Sequence, residues 1–155
     1  MILAMHVAQI NVGRLLAPLD DPRISGFKSQ LDAMNALAEA SPGFVWRLVG
    51  SGNNATDLRP YEDPTMLVNM SVWESIESLR DYVYRSLHAG FVRARAEWFE
   101  KLAVPVYALW WVPAGHIPSV GEGIERLEHL RAHGPSDRAF WFPRPIPRPR
   151  VILEA

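Results

Sequence analysis

Apolar and polar positions change their spacing along this chain, and the spacing predicts the elements. From Ile2 to Val12 they alternate near period two, the pattern of a strand with one covered face. Asp20-Asp21-Pro22 punctuates a loop after Gly13. Phe27, Leu31, Met34 and Leu37/Ala38 recur at three- and four-residue steps, which predicts a helix from about Ser25 to Ala40. Ser41-Pro42-Gly43 stops it, because proline cannot continue a helix and glycine accepts the turn. Phe44–Val49 is aromatic and β-branched and reads as a second strand. Gly50–Pro64 is a polar connection long enough to serve as a lid or binding loop, or simply as a mobile link. Met66–Trp73 reads as a third strand, antiparallel to the second.

The centre of the chain is Thr65–Val112, which reads strand, helix, strand. Ser75 caps the helix and Glu77 places negative charge in its first turn. Ile76, Leu79, Val83 and Leu87 form its stripe. Gly90 weakens the helix after His88, and it resumes to about Leu102. Val106–Val112 is a strongly apolar strand. Pro113–Pro118 is a rigid turn. A third helix runs from Ser119 or Val120 to His133, with Ile124, Leu127 and Leu130 inward and Gly134 as its stop. Ala139–Phe142 reads as a short last strand. Residues 1–142 form one domain, and 143–155 form a Pro/Arg-rich tail of extended polyproline type.

The order β-α-β-β-α-β, then α-β, is a ferredoxin-like split βαβ of the α+β class, with helices on one face of an antiparallel sheet. Trp46, Val49, Val68 and Trp110 make the other face too apolar to stay bare, so a two-fold homodimer with facing sheets is expected. Composition narrows the partners. The net charge of −1 recruits neither nucleic acid nor an anionic membrane. The absence of cysteine excludes disulfides and thiolate chemistry and suits a reducing, cytoplasmic compartment. The N-terminus lacks a basic region and reads as a strand, and no apolar run approaches the ~20 residues that span a bilayer. No GxGxxG, Walker or GxSxG motif supports a nucleotide cofactor or serine chemistry. HxxxH at His129–His133 lacks the glutamate of a zincin, so no zinc is expected.

Several motifs carry a resemblance. They are PGFVWRL at Pro42–Leu48, SVWES at Ser71–Ser75, the spaced His88…Arg93-x-Arg95-x-x-Trp98-Phe99, LWWVPAGHIP at Leu109–Pro118, GIERLEHL with GP following, and the final AFWF. Together they resemble an uncharacterised bacterial domain-of-unknown-function family of the dimeric α+β barrel, antibiotic-biosynthesis-monooxygenase-like superfamily. The resemblance implies the fold and the dimer. The superfamily spans oxygenases, isomerases, haem-handling proteins and non-catalytic members, so it implies no single reaction.

His88, Val92, Arg95 and Phe99 lie at i, i+4, i+7 and i+11 of the central helix and share one face, leaning toward the sheet or its end. His88 is then the best acid/base residue, or an axial haem ligand; the alternative is a structural histidine bonded to a carbonyl. Arg95 suits a substrate carboxylate or enolate, or else an ion pair with Glu74, Glu97 or a partner's carboxylate. Asn69, between Val68 and Met70, needs hydrogen-bond partners. The resemblance implies that Asn69 with Trp73 stabilises a substrate carbanion, as in cofactor-independent oxygenases; a strand-edge amide is the alternative. Of the six tryptophans, most are core, while Trp73 and Trp98, with Phe91 and Phe99, are assigned to a pocket for an aromatic ligand; turn-bound His116 either reaches its mouth or makes a structural hydrogen bond, the favoured alternative. The expected protein is a small-molecule enzyme without nucleotide cofactor, monooxygenase-, isomerase- or cyclase-like. The alternatives are a haem- or small-ligand-binding protein and a structural dimer.

Overall fold

The computed structural model describes residues 2–50, 52, 54–56, 58, 60–142, 148 and 151–152. In chain order the elements are β1 (Ile2–Leu3), β2 (Met5–Arg14), a 3-10 turn at Pro22–Ile24, α1 (Ser25–Ala40), β3 (Phe44–Arg47), β4 (Met66–Trp73), α2 (Ile76–His88), α3 (Phe91–Trp98), β5 (Tyr107–Pro113), α4 (Val120–His133) and β6 (Val151–Ile152). The main sheet is antiparallel in the order β3-β4-β2-β5, the ferredoxin-like α+β arrangement that the period-two and period-3.6 segments predict. β1 and β6 pair separately. Most of the expected tail, and with it the polyproline reading, lies outside the described residues.

Register decides what each face carries. Val7 pairs with Trp73, Gln9 with Ser71 and Asn11 with Asn69, so these six side chains share one face. Ala8, Ile10, Val12, Val68, Met70, Val72 and Trp110 share the other, all buried.

The helices divide between the faces, contrary to the one-sided arrangement expected. α1, α2 and α3 cover the first face, where Ala38, Ile76 and Leu79 pack with Val7 and Trp73, and Phe27 and Trp98 with Leu67. α4 covers the second, bringing Leu127 and Leu130 onto Ile10, Met70 and Trp110. Gly123 allows this approach, since a Cβ there would lie 3.0 Å from Ile10 Cδ1 and Met70 Cε. The long connection helps, with Leu58 and Tyr61 packed on the same cluster. The apolar surface from which a dimer was expected is therefore largely hidden within one chain: Val68 and Trp110 are buried and Trp46 is half-buried, while Val49 stays exposed.

The break expected near His88–Gly90 is present, and two element boundaries beyond it differ. Gly90, at φ +82°, breaks the central helix and turns α3 away from α2. α3 ends at Trp98, short of Leu102, because the Phe99 backbone bridges to Leu15 and Glu100 N–H donates to the Arg14 carbonyl. The strand expected at Ala139–Phe142 is reduced to a single bridge between Phe140 and Leu109.

Candidate functional site

A cavity of about 120 Å³ lies between the first sheet face, α1 and α3. Its floor is Asn11, Gly13, Leu67 and Asn69, from adjacent positions of β2 and β4. Phe27, Leu31 and Met34 of α1 form one wall, at the helical spacing that puts them on a single stripe. Phe91, Arg95 and Trp98 of α3, with Phe99, form the other, and Ala55 and Thr56 come in from the long connection.

Gly13 makes the α3 wall possible. A Cβ on it would lie 2.6 Å from Phe99 Cδ1 and 3.3 Å from Arg95 Nη2, so only a bare backbone lets both side chains close over the strand. The Phe99 ring stands edge-on to Phe27, 5.2 Å between centroids. Arg95 lays its guanidinium over Phe99, 4.8 Å from the ring centroid, and its Nη2 is 3.5 Å from the Val12 carbonyl, a marginal hydrogen bond. Among the described residues it has no carboxylate partner. The residue as a whole keeps an exposed side, yet loss of water around the guanidinium lowers its pKa from the ordinary 12.5. An arginine so placed stays charged at neutral pH. A second, more open hollow of about 490 Å³, lined by Val104, Tyr107 and Trp141 among others, meets the first at Gly13 and Arg95.

The polar groups of the floor are ordered by a chain of hydrogen bonds. Asn11 Nδ2 donates to Gln9 Oε1 at 3.0 Å, Gln9 Nε2 donates to Ser71 Oγ at 2.8 Å, and Trp73 Nε1 donates to the same oxygen at 2.9 Å. This chain fixes the Asn11 amide and leaves its carbonyl oxygen unspent. Asn69, opposite, has no hydrogen-bond partner for its side chain among the described residues.

A scan against family models matches residues 6–153 to a family described as a domain of unknown function (DUF3291). The chain belongs to this family. No curated protein matches it. Among solved structures it is similar to SnoaB, a cofactor-independent oxygenase from Streptomyces nogalater, at 17% identity over 75% of this chain and 100% of that one, TM-score 0.51. It is also similar to a candidate antibiotic biosynthesis monooxygenase from Nitrosomonas europaea, at 12% identity over 76% of this chain and 96% of that one, TM-score 0.50. A conserved protein from Methanosarcina mazei matches at 11% identity over 71% and 93%, TM-score 0.50. A likeness at identities this low establishes a shared fold alone.

In this DUF3291 chain the structure brings Asn69, Arg95, Phe91, Trp98 and Phe99 together at one cavity. It does not bring the other three assigned residues there. His88 ends α2, exposed, with its ring edge-on to Tyr84 at 4.4 Å. The Gly90 turn removes it from the face it would share with Arg95, and it lines neither of the two hollows. Trp73 is wholly buried, stacked on Tyr82 at 5.1 Å. It lies four residues from Asn69, about 13 Å along a strand. His116 sits on the α4 side, with Nε2 2.7 Å from Glu122 Oε1. Asn11 and Gly13 were missed, because a polar residue in an alternating strand marks a covered layer only once the helices that cover it are known. Among the described residues, no group of three or more His, Asp or Glu is placed to hold a metal ion, and no helix is long and apolar enough to cross a membrane.

Chemically, the arrangement offers one cation and the two amides of the floor inside a largely apolar lining. Such donors stabilise negative charge developing on a substrate oxygen.

Proposed function

We propose that this cavity is the reaction site of a small-molecule enzyme that needs no nucleotide cofactor, a monooxygenase acting on an enolisable or aromatic substrate. One observation carries the reading: the Arg95 guanidinium and the Asn69 amide, neither with a side-chain hydrogen-bond partner among the described residues, converge on an apolar hollow. The fold shared with SnoaB, itself a cofactor-independent oxygenase, supports it. Arg95 binds the enolate or phenolate oxygen of the substrate, and Asn69 donates to a second oxygen on the same conjugated system. The substrate's carbanion form reduces dioxygen, one oxygen atom forms the new carbonyl, and the other leaves as hydroxide carrying the hydrogen lost from that carbon. Phe91, Trp98 and Phe99 hold the ring and exclude water.

The assembly proposed is a homodimer, resting now on the superfamily resemblance, because α4 fills the face that was to pair. Sedimentation tests the dimer: a single copy at every concentration removes it.

The test is oxygen uptake with a panel of phenols and anthrones, without added cofactor, with products identified by mass. Arg95→Gln and Asn69→Ala each lower kcat/KM by about 10²–10³, the worth of one oxyanion donor. No uptake across the panel overturns the reading.

A further inference from the structure

The cavity constrains the identity of its ligand as well as the class of reaction. Taking it as the reaction site, we infer that the ligand is a small acid, already ionised when it binds, with a body of about one ring. Its anionic group is taken by Arg95, and its ring substituent is read by Asn69 and Asn11.

Volume sets the size. An apolar cavity of about 150 Å³ accepts one benzene ring, whereas drug-sized ligands occupy about 300–1,000 Å³. The narrow hollow measures about 120 Å³, so it takes one ring, and a fused tricyclic body would have to project past Arg95 into the open hollow. Its walls are Phe91, Trp98, Phe99 and Met34, flat or adaptable surfaces that suit a ring face.

Charge sets the ionisation. At the mouth the open hollow adds Glu100, which pairs with Arg14 at 3.4 Å, Lys101 and Tyr107, but among the described residues that line the narrow cavity itself Arg95 is the sole titratable side chain. No side chain of that lining is therefore placed to take a proton from a neutral ligand. This cation has no carboxylate partner among the described residues, and a partly desolvated arginine without one favours an anion that arrives deprotonated. Position sets the orientation. Arg95 stands where the narrow cavity meets the open hollow, so the anion lies at the mouth and the ring points inward, toward Asn69 and the free carbonyl of Asn11.

The experiment uses the full chain and three probes: salicylate, its neutral isostere salicylamide, and the tricyclic 1,8-dihydroxyanthrone. Calorimetry and thermal shift should show saturable salicylate binding, at least about tenfold tighter than salicylamide, the least that one charge-assisted pair contributes. In Arg95→Gln the preference should collapse to near parity while salicylamide affinity persists, which also reports that the variant is folded. Arg95→Lys should restore part of it. Equal affinity of salicylate and salicylamide overturns the charge assignment, and so does a preference that survives in Arg95→Gln. Tighter binding of the anthrone than of salicylate overturns the size assignment. Anthrone oxidation without salicylate binding would sink this inference and spare the oxygenase reading. Salicylate binding with no oxygen uptake on any substrate would do the reverse.

Discussion

The two faces of the main sheet are built from alternate residues of the same strands, and they have opposite characters. The α4 face is solid: Ile10, Met70, Val72 and Trp110 are fully or almost fully buried beneath Leu127 and Leu130. The opposite face carries Gln9, Asn11, Asn69 and Ser71 at neighbouring register positions, and a hollow remains over one end of it. Buried amides cost stability unless satisfied, so a sheet chosen for stability alone would not place them there. One face holds the fold together, and the other gives up part of its packing to keep polar groups accessible.

The sharpest way to break this contrast is to truncate one side chain on each face. Trp110→Ala removes a fully buried indole and the donor to Glu122 Oε2, a hydrogen bond of 2.9 Å, and should cost about 3–5 kcal/mol in urea unfolding. Asn69→Ala should change stability by less than about 1 kcal/mol, since it removes an amide with no partner to orphan among the described residues. Equal losses from the two substitutions would mean that the faces do not differ in this way.

Gly13→Ala tests the closeness of α3 to the strand. The new methyl would meet the Phe99 ring edge at 2.6 Å, and the Phe99 backbone is held by its bridge to Leu15. The ring must swing toward the cavity. The expected cost is about 1–3 kcal/mol, the range for overpacking, together with loss of ligand binding. Retained binding, measured by calorimetry, would remove Gly13 from the site.

Much of this molecule is legible in its sequence, and for physical reasons. Helix stripes and caps are local, so α1 and α4 fall where Phe27–Ala38 and Ser119–Gly134 predict, and Ser75 caps α2 through its bond from Ser78 N–H. What fails is non-local. The placement of α4 on the far face depends on a small residue, Gly123, admitting Ile10 and Met70, which no periodicity announces. Helical spacing puts His88 and Arg95 on one face, but spacing says nothing once Gly90 adopts a left-handed backbone between them. Asn69 is legible because an amide between Val68 and Met70 is itself a signal, and Arg95 because helical spacing puts it on one stripe with Phe99. Asn11 is not, because alternation in its strand reads as a solvent face when the covering helices are unknown.

The α4 face also predicts a pH dependence that the other face should lack. Burial pushes the Glu122 carboxyl up, but hydrogen bonds from the Trp110 indole and from His116 outweigh it, and the net shift is below the ordinary 4.5. A carboxyl depressed in the folded state stabilises the fold above its unfolded pKa. That contribution is lost as pH falls below 4.5 toward the folded value. Glu122→Gln keeps an acceptor for Trp110 and removes the titration. The stability difference between the parent and this variant should therefore be largest near neutral pH and shrink on the acid side. A difference that stays constant down to acid unfolding would place the linkage elsewhere.

The smallest expected effect belongs to the residue with the most suggestive chemistry in the sequence. His88 closes α2 in solvent, its ring against Tyr84, with the Gly90 turn between it and the cavity. His88→Ala should leave stability within about 0.5 kcal/mol, as surface substitutions do, and leave ligand affinity and any turnover unchanged across the range where imidazole titrates. A loss of turnover in this variant, without loss of binding, would show that α2 and α3 rearrange during the reaction to bring the imidazole to the ligand. The division of labour between the two faces would then hold only for the resting chain.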